Sequence, residues 1–399
     1  MTTDAHKLQQ LIQHINTVPS INTYSAESKQ IIKTIYDIAF TANQREIPAK
    51  IVGERFSSES AKGTLYNSIN NTIRESIQSS NNYSINVVLE VGGRTYRLFF
   101  VFPALHTTIS NQTRAKHSAD VEAYVKRIYI WLYVASHYAS VQCSKMVDVY
   151  FYLTAHKKTI PSLKSEVIDT IHANTAFTTS CMETTEINLY RKEEMFKVFI
   201  HESFHNMGLD FSQYTEANET AKQVVHAIFP VSSDMCIYET YCEMWAEIIN
   251  VVIEDVLSHP RRRGFETAWP IIVRNINAER RFTMFQTAKI LTHNGVKYAD
   301  LMIPGNAYRE NTEAFCYFVL KSIMMFHCDA FLSWCFKNNN GGIQFASKNT
   351  KKYAQDLIAG YYNDPHYVEA LNKTQEHFVK NRAKIPQFIR NTLRMTIIE

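Results

Sequence analysis

The chain has 399 residues, with 42 basic and 38 acidic side chains and a formal net charge of +4. Its 11 glycines and 10 prolines make up about 5 % of the residues, where roughly 12 % is usual. This scarcity excludes collagen-like and low-complexity chains, argues against barrels and sandwiches with frequent tight turns, and leaves no glycine-rich phosphate loop. The balanced charge argues against a nucleic-acid-binding face.

The first region of the chain is predicted to be helical. Apolar residues recur at helical spacing in 8–15, in 31–38 and in 65–77. The polar run 79–82 then marks the best position for an internal boundary. Residues 1–80 are therefore predicted to form an N-terminal helical region.

Strand signals follow in the middle of the chain. Residues 85–91 and 95–102, joined by Gly92 and Gly93, are typical of a hairpin. The other elements predicted here are a buried helix at 120–138, strands at 147–154 and 186–190, and helices at 192–207, 215–228 and 234–257. Residues 81–260 are predicted to form the core.

The last region is again predicted to be helical. Its helices are expected at 266–291, 311–336, 351–361 and 366–395, within a C-terminal helical region that covers 261–399. The fold class expected for the whole chain is therefore α+β and helix-rich.

Cysteine use and hydropathy suggest a cellular location. The seven cysteines are odd in number and contain no C-x-x-C, a pattern that predicts reduced thiols rather than a disulfide framework. The longest apolar run, 128–135, is too short for a membrane-spanning helix. We therefore expect a cytoplasmic protein, in a host cytoplasm or a virion if the chain is viral.

One motif carries clear chemistry. His201 to His205 reads H-E-S-F-H, which is an H-E-x-x-H motif, on a predicted helix that Gly208 would end. Histidines four residues apart share one helix face, so both imidazoles can bind one tetrahedral Zn²⁺. Glu202 lies where it can take a proton from a metal-activated water, and it is the predicted catalytic base.

This motif, with its uncharged flanks, resembles the active-site helix of the zincin metallopeptidases. The resemblance implies a zincin-like core with a small mixed sheet, an active-site helix and a following glutamate helix. It also implies that strand 186–190 is the edge strand that pairs with an extended substrate. The Asn-, Ile- and Tyr-rich composition and the run 190–201 resemble uncharacterised H-E-x-x-H proteins of large DNA viruses.

A zinc peptidase needs a third protein ligand. The metzincin pattern places a histidine at position 211, which is Phe211 here. Residues 243–247 instead resemble the E-x-x-A-E sequence around the third ligand of gluzincins, which makes Glu243 the expected ligand. Glu239 is the alternative, and an acid in 308–313 is a further one. An acid one turn after the ligand is expected to accept the free N–H of a ligand histidine.

An oxyanion donor is also required. The residues considered for that role are Tyr238, Tyr241, His226, Tyr308 and Arg309.

The predicted function is zinc-dependent peptide hydrolysis, with Zn²⁺ as cofactor and a peptide or protein as substrate. The alternative from another class is a catalytically inactive zincin-fold structural or virion-associated protein. Neither nucleic acid nor membrane is an expected partner.

Overall fold

The computed structural model describes residues 17–57, 62–104, 109–259 and 264–398, together with Leu8, Gln10 and Ile12. The strands in these residues are β1 (Ala49–Ser57), β2 (Asn81–Val91), β3 (Arg94–Ala104), β4 (Met146–Tyr152), β5 (Ile168–Asp169), β6 (Ala176–Thr178), β7 (Thr184–Leu189) and β8 (Glu310–Asn311). Six of them form one mixed sheet in the order β1-β2-β3-β4-β7-β6, and β5 pairs with β8.

Helices account for 54 % of the structure. The α-helices of the described residues are α1 (Ala26–Asn43), α2 (Asn71–Gln78), α3 (Asn111–Ser136), α4 (Thr170–Ala173), α5 (Met195–Asn206), α6 (Thr215–His226), α7 (Ile237–Ser258), α8 (Phe265–Asn294), α9 (Lys321–Phe326), α10 (Cys328–Asn338), α11 (Thr350–Tyr353), α12 (Pro365–Asn381) and α13 (Gln387–Asn391). Two π-helical turns cover Phe315–Leu320 and Ala354–Ala359. The prediction of a helix-rich α+β fold is confirmed.

Local sequence signals explain several of these elements. Gly92 and Gly93 have φ of 60° and 75° and join β2 to β3 in the predicted hairpin, because a tight turn of this kind needs left-handed backbone. At α1, the Ser25 side chain accepts a hydrogen bond from the Ser28 N–H and caps the helix.

The centre of the molecule is built on α5 and α7. α5 packs against β6 and β7 on one side and against α7 on the other. α7 also contacts α1, α8, α9 and the π-helical turn Phe315–Leu320. Because protein surrounds both helices, polar side chains on them must find partners inside the core.

The N-terminal boundary differs from the prediction. β1 lies within 1–80 and pairs antiparallel with β2, so the sheet begins inside the region for which helices alone were expected. The polar run 79–82 joins α2 to β2 directly and does not separate two units. Most of the helix predicted at 8–15 lies outside the described residues.

The C-terminal region contains two further differences. The helix predicted at 311–336 is interrupted, since a π-helical turn precedes α9 and His327 separates α9 from α10. The helix predicted at 366–395 is wrong at its end, because α13 stops at Asn391 and residues 392–398 form neither helix nor strand. Within the described residues, no single helix is long and apolar enough to cross a membrane, although the bent pair Phe315–Phe326 and Cys328–Asn338 passes on length and composition.

The expectation that every cysteine is reduced is wrong for one pair. Cys143 and Cys181 form a disulfide, with Cα atoms 4.4 Å apart. The five remaining cysteines are free. The two paired residues are 38 positions apart in sequence, and their loops meet only because β4 and β7 are neighbours in the sheet.

Candidate metal centre

α5 carries the H-E-x-x-H motif and is buried along its whole length. The helix begins after Glu194, whose φ of 58° is left-handed. Gly208 follows the helix with φ of 63° and ends it as the sequence predicts. The motif residues therefore face the protein interior, and none of His201, Glu202 and His205 is more than 8 % exposed.

His201, His205 and Glu239 each place one possible ligand atom close to those of the other two. His201 Nε2 lies 3.2 Å from His205 Nε2 and 3.0 Å from Glu239 Oε2. The third distance, from His205 Nε2 to Glu239 Oε2, is 3.5 Å. Two ligands bound at about 2.0–2.1 Å to a tetrahedral Zn²⁺ lie roughly 3.3 Å apart. The three atoms therefore fit three corners of a zinc tetrahedron.

The hydrogen bonding of Glu239 supports the same fit. Within the described residues its buried Oε2 has no hydrogen-bond partner, although two imidazole nitrogens are close. A buried carboxylate oxygen left without a hydrogen bond costs free energy. A cation between Glu239 and the two histidines would remove that cost.

Carboxylates also face the opposite nitrogens of both rings. His201 Nδ1 lies 2.8 Å from Glu243 Oε1, and His205 Nδ1 lies 2.6 Å from Asp210 Oδ2. A histidine that binds metal through Nε2 carries its proton on Nδ1 and donates it to such a group. The His205 contact is a hydrogen bond, whereas His201 Nδ1 lies at ion-pair distance from Glu243 without hydrogen-bond geometry. Both rings have Nε2 towards Glu239.

Glu243, the expected third ligand, lies at the wrong nitrogen for that role. Its carboxylate accepts hydrogen bonds from Lys197 Nζ and touches Nδ1 of His201 rather than Nε2. The geometry favours Glu239, the alternative ligand, which is one turn earlier on α7. Glu243 lies one turn after Glu239 and faces Nδ1 of His201. This is the position in which an acid was expected to accept the free N–H of a ligand histidine.

The electrostatic field of the site is negative. Burial lowers the pKa of both histidines, but other groups outweigh it and raise both pKa values. For His201 these groups are Glu239 and Glu243, and for His205 they are the Cys242 thiol followed by Glu239 and Asp210. Burial acts against ionisation of Glu239 too, yet the two histidines lower its pKa to about 2. The same field that holds protons on the imidazoles favours a divalent cation, whose binding would release them.

Glu202 lines a cavity of about 30 Å³ beside His201. Burial raises its pKa, with Glu239 and Glu243 acting in the same direction and the two histidines against it. A raised pKa makes a carboxylate a better proton acceptor. The arrangement thus offers three ligand atoms and a separate proton acceptor.

Tyr317 lines the same cavity and was missed at the sequence level. Its ring centroid lies 6.1 Å from that of His201. It sits in the π-helical turn Phe315–Leu320, which belongs to a segment so apolar that it indicates only core packing. Two polar side chains, Tyr317 and Lys321, on this apolar stretch are the signal that could have identified it.

The residues considered for oxyanion stabilisation do not line this cavity. Tyr241 donates its hydroxyl to the Ile343 carbonyl, and Tyr308 donates to Glu310. Tyr238 places its ring 5.7 Å from the His205 ring. The acids in 308–313 are also used elsewhere, since Glu313 accepts a hydrogen bond from the Cys236 N–H.

The edge strand of the sheet beside the site is β6, whereas the strand at 186–190, now β7, was expected there. β7, the strand predicted at 186–190, is covered on one side by β4 and on the other by β6. The residues leading into β6, Ala173 to Ala176, line the cavity with Glu202. No strand of the described residues pairs with the outer side of β6.

Comparison with known proteins adds no assignment. No protein-family model matches the chain, and neither a curated protein nor a solved structure matches it.

Proposed function

We propose that this protein is a zinc-dependent metallopeptidase in which His201, His205 and Glu239 hold the metal. The observation that carries the proposal is the convergence of three buried ligand atoms at 3.0, 3.2 and 3.5 Å from one another. Zn²⁺, when bound there, would polarise a scissile carbonyl and make water more acidic. The likeness to the zincin motif points to the same chemistry.

The roles of the other residues follow from their places around the cavity. Glu202 would take a proton from the attacking water on its carboxylate and return it to the leaving amine. The Tyr317 hydroxyl, at the same cavity, would donate a hydrogen bond to the oxyanion of the tetrahedral intermediate. Asp210 and Glu243 would orient the two imidazoles through Nδ1.

The substrate would be an extended peptide. The outer edge of β6 leaves main-chain groups for an added strand, and its approach residues line the cavity next to Glu202. Strand addition of this kind binds main chain and places alternate side chains in pockets. Balanced charge supports a peptide rather than a nucleic acid as the partner.

Metal analysis of the purified protein tests the ligand set. Wild type is expected to hold one zinc per chain, and His205→Ala and Glu239→Ala are expected to lose it. Thr240→Ala, a change at the next position on α7, is the matched control and should keep its zinc. Full zinc content in Glu239→Ala would contradict the assignment.

The alternative, a catalytically inactive protein on the same scaffold, is favoured by one observation. The cavity beside Glu202 is about 30 Å³, which is space for one or two waters and not for a peptide residue. This alternative would be supported if zinc-loaded wild type and zinc-loaded Leu393→Asp both cleave nothing in a broad peptide library.

A further inference from the structure

The chain enters the core again after α13. Residues 392–398 are buried, and the most exposed of them, Thr392, is 9 % exposed. They form no regular strand pairing, apart from a single bridge between Thr159 and Thr392. The segment bends at Met395 and at Ile397, and a buried segment outside a sheet must have its main-chain groups satisfied in another way.

Buried carboxylates bind the N–H groups of this segment. The N–H groups of Met395 and Thr396 donate to Glu194 Oε1 over 2.7 and 2.6 Å. The next two, at 397 and 398, donate to the Glu279 carboxylate. Glu194 is the residue immediately before α5, so one end of the motif helix is attached to this segment.

Buried amines and amides bind its carbonyl groups in the same manner. The donors are Lys289 and Gln286 to Thr392, Gln286 to Arg394, Lys321 to Met395 and Asn250 to Ile398. These contacts are made to main chain, which every peptide has. The channel therefore holds this bent segment chiefly through its main chain, and most of its polar contacts do not depend on the side chains bound.

The segment also separates two cavities. Met395 lines the cavity of about 30 Å³ that contains His201 and Glu202. Thr392 and Arg394 line a second cavity of about 300 Å³. Lys158 lines both. Thr392, Arg394 and Met395 therefore form part of the walls of these cavities, and their departure would enlarge both.

We propose that the channel around 392–398 continues the peptide-binding site that begins at the edge of β6, since Ala176 and Met395 line one cavity, and that this segment occupies it as an internal ligand. The proposal rests on the proposed function, because it identifies the substrate channel of that same site. The occupant that competes with the segment is a peptide that is bound through main-chain N–H and C=O groups and follows the same bends. The small size of the cavity at Glu202 is then a property of the occupied state.

The occupied state is connected to the metal ligands through side chains. Met395 Sδ lies 3.8 Å from Lys197 Nζ, and Lys197 donates to Glu243, which touches His201. Lys321 bonds the Met395 carbonyl and also pairs with Glu247. Departure of the segment therefore changes the surroundings of His201 as well as the space beside it.

Hydrogen exchange on the wild-type chain tests the proposal without any substitution. A resident ligand must leave its channel while the rest of the molecule stays folded. We expect the amides of 395–398 to exchange at least ~100-fold faster than buried amides in the middle of α7, such as Ile248 and Ile249. Exchange of both sets at one common rate, set by global unfolding, would overturn the proposal.

A substitution that releases the segment supplies a binding test. Leu393→Asp places a charge at a fully buried position, outside the metal centre and the channel's polar contacts. The matched control is Ile303→Asp, which also replaces an aliphatic side chain by aspartate but at a position that is 57 % exposed. The probe is a fluorescein-labelled peptide with the sequence of residues 392–398, followed by anisotropy.

Folded Leu393→Asp is expected to bind the probe at least tenfold more tightly than wild type or Ile303→Asp. Equal binding by all three proteins would overturn the proposal. If Leu393→Asp does not fold, the exchange experiment alone decides.

The two proposals fail in different ways. Loss of the zinc assignment would appear in metal analysis and would leave probe binding to Leu393→Asp unchanged. Normal zinc content together with absent probe binding would overturn the channel and leave the metal centre intact. Peptide hydrolysis that rises at least tenfold in Leu393→Asp, and not in Ile303→Asp, would support both.

Discussion

Two buried polar clusters lie next to each other in this molecule, and their carboxylates differ in the hydrogen-bond donors that they receive. The histidine cluster comprises His201, His205, Glu239, Asp210 and Glu243. The segment cluster comprises the side chains that hold 392–398, chiefly Glu194, Glu279, Lys289 and Lys321. In the segment cluster both carboxylates receive main-chain N–H groups. In the histidine cluster the Glu239 Oε2 atom receives none from the described residues.

The difference fits the occupants that we propose for the two clusters. A peptide supplies donors and acceptors in alternation, so a cluster built for it carries both carboxylates and amines. A metal ion supplies only positive charge, so its cluster carries an excess of acceptors. The lysines near the histidines are already engaged, since Lys197 bonds Glu243 and Lys321 bonds Glu247. Glu239 is left to the two imidazoles.

The largest expected effect separates metal binding from proton transfer within the histidine cluster. Glu202→Gln keeps the size of the side chain but cannot accept a proton. We expect hydrolysis of a peptide substrate to fall by about 10²–10⁴-fold, with zinc content unchanged. Zinc is measured by mass spectrometry of the metal and activity by a quenched fluorescent peptide. Loss of the metal as well would show that Glu202 is a ligand or a support rather than the base.

Removal of the Tyr317 hydroxyl should have the next largest effect. Tyr317→Phe keeps the ring in its π-helical turn and removes only the proposed oxyanion donor. We expect kcat to fall by roughly 10²–10³-fold, with KM and zinc content little changed. Tyr298→Phe, a buried tyrosine whose hydroxyl bonds the Tyr362 carbonyl, is the control. An equal fall in both variants would indicate a structural role for Tyr317.

A smaller effect is expected from the acid behind His201. Glu243→Gln keeps a hydrogen-bond acceptor near Nδ1 but removes the charge, so we expect zinc affinity to fall by about 10–100-fold. Glu239→Gln removes a ligand and should lower the affinity further. Competition with a chelator measures both. A larger loss in Glu243→Gln than in Glu239→Gln would restore Glu243 as the third ligand.

The last expected effect is on stability rather than on activity, and it concerns the pH dependence of the segment cluster. Burial, with Glu247 nearby, raises the pKa of Glu279 to about 8 from its ordinary value of 4.5. The unfolded chain gives up this proton at lower pH than the folded chain. Glu279 therefore makes the free energy of unfolding fall as pH rises from about 4.5 to 8, by at most ~1.4 kcal/mol per pH unit.

Urea denaturation at pH 5 and pH 8 measures this dependence. Glu279→Gln should flatten it, because an amide does not titrate in this range. Glu266→Gln, at a position of the same helix where the carboxylate forms an exposed ion pair with Lys29, should leave it unchanged. The same slope in wild type and Glu279→Gln would show that Glu279 is charged in both states.

Local patterns predicted the elements that local forces determine. The Gly92–Gly93 hairpin, the buried helix now described as α3 and the end of α5 at Gly208 all follow from turn chemistry and apolar periodicity. The placement of His201 and His205 on one face of one helix follows from their spacing alone. The choice between Glu239 and Glu243 does not, because both lie on the same face of α7 and only the packing of α7 against α5 decides which carboxylate reaches Nε2.

Elements that depend on distant partners were not predictable in this way. β1 is recognised by its pairing with β2 and carries little strand pattern of its own. Residues 392–395 continue an apparently helical sequence, but the side chains of Glu194, Gln286 and Lys289 bond their main chain and take the place of helical hydrogen bonds. The Cys143–Cys181 pairing requires β4 and β7 to be neighbours.

The π-helical turn Phe315–Leu320 has a consequence for the spacing of this part of the sequence. A π-helical turn closes its hydrogen bonds one residue later than an α-helical turn, so it acts as a one-residue insertion in an otherwise regular helix. Deleting one residue there would restore a regular α-helical turn, and the residues on either side would keep their faces. Lys321, which begins α9, would keep its contacts with Glu247 and with the Met395 carbonyl. The extra residue therefore affects mainly the side chains inside the turn, and among these is Tyr317, which lines the cavity beside Glu202.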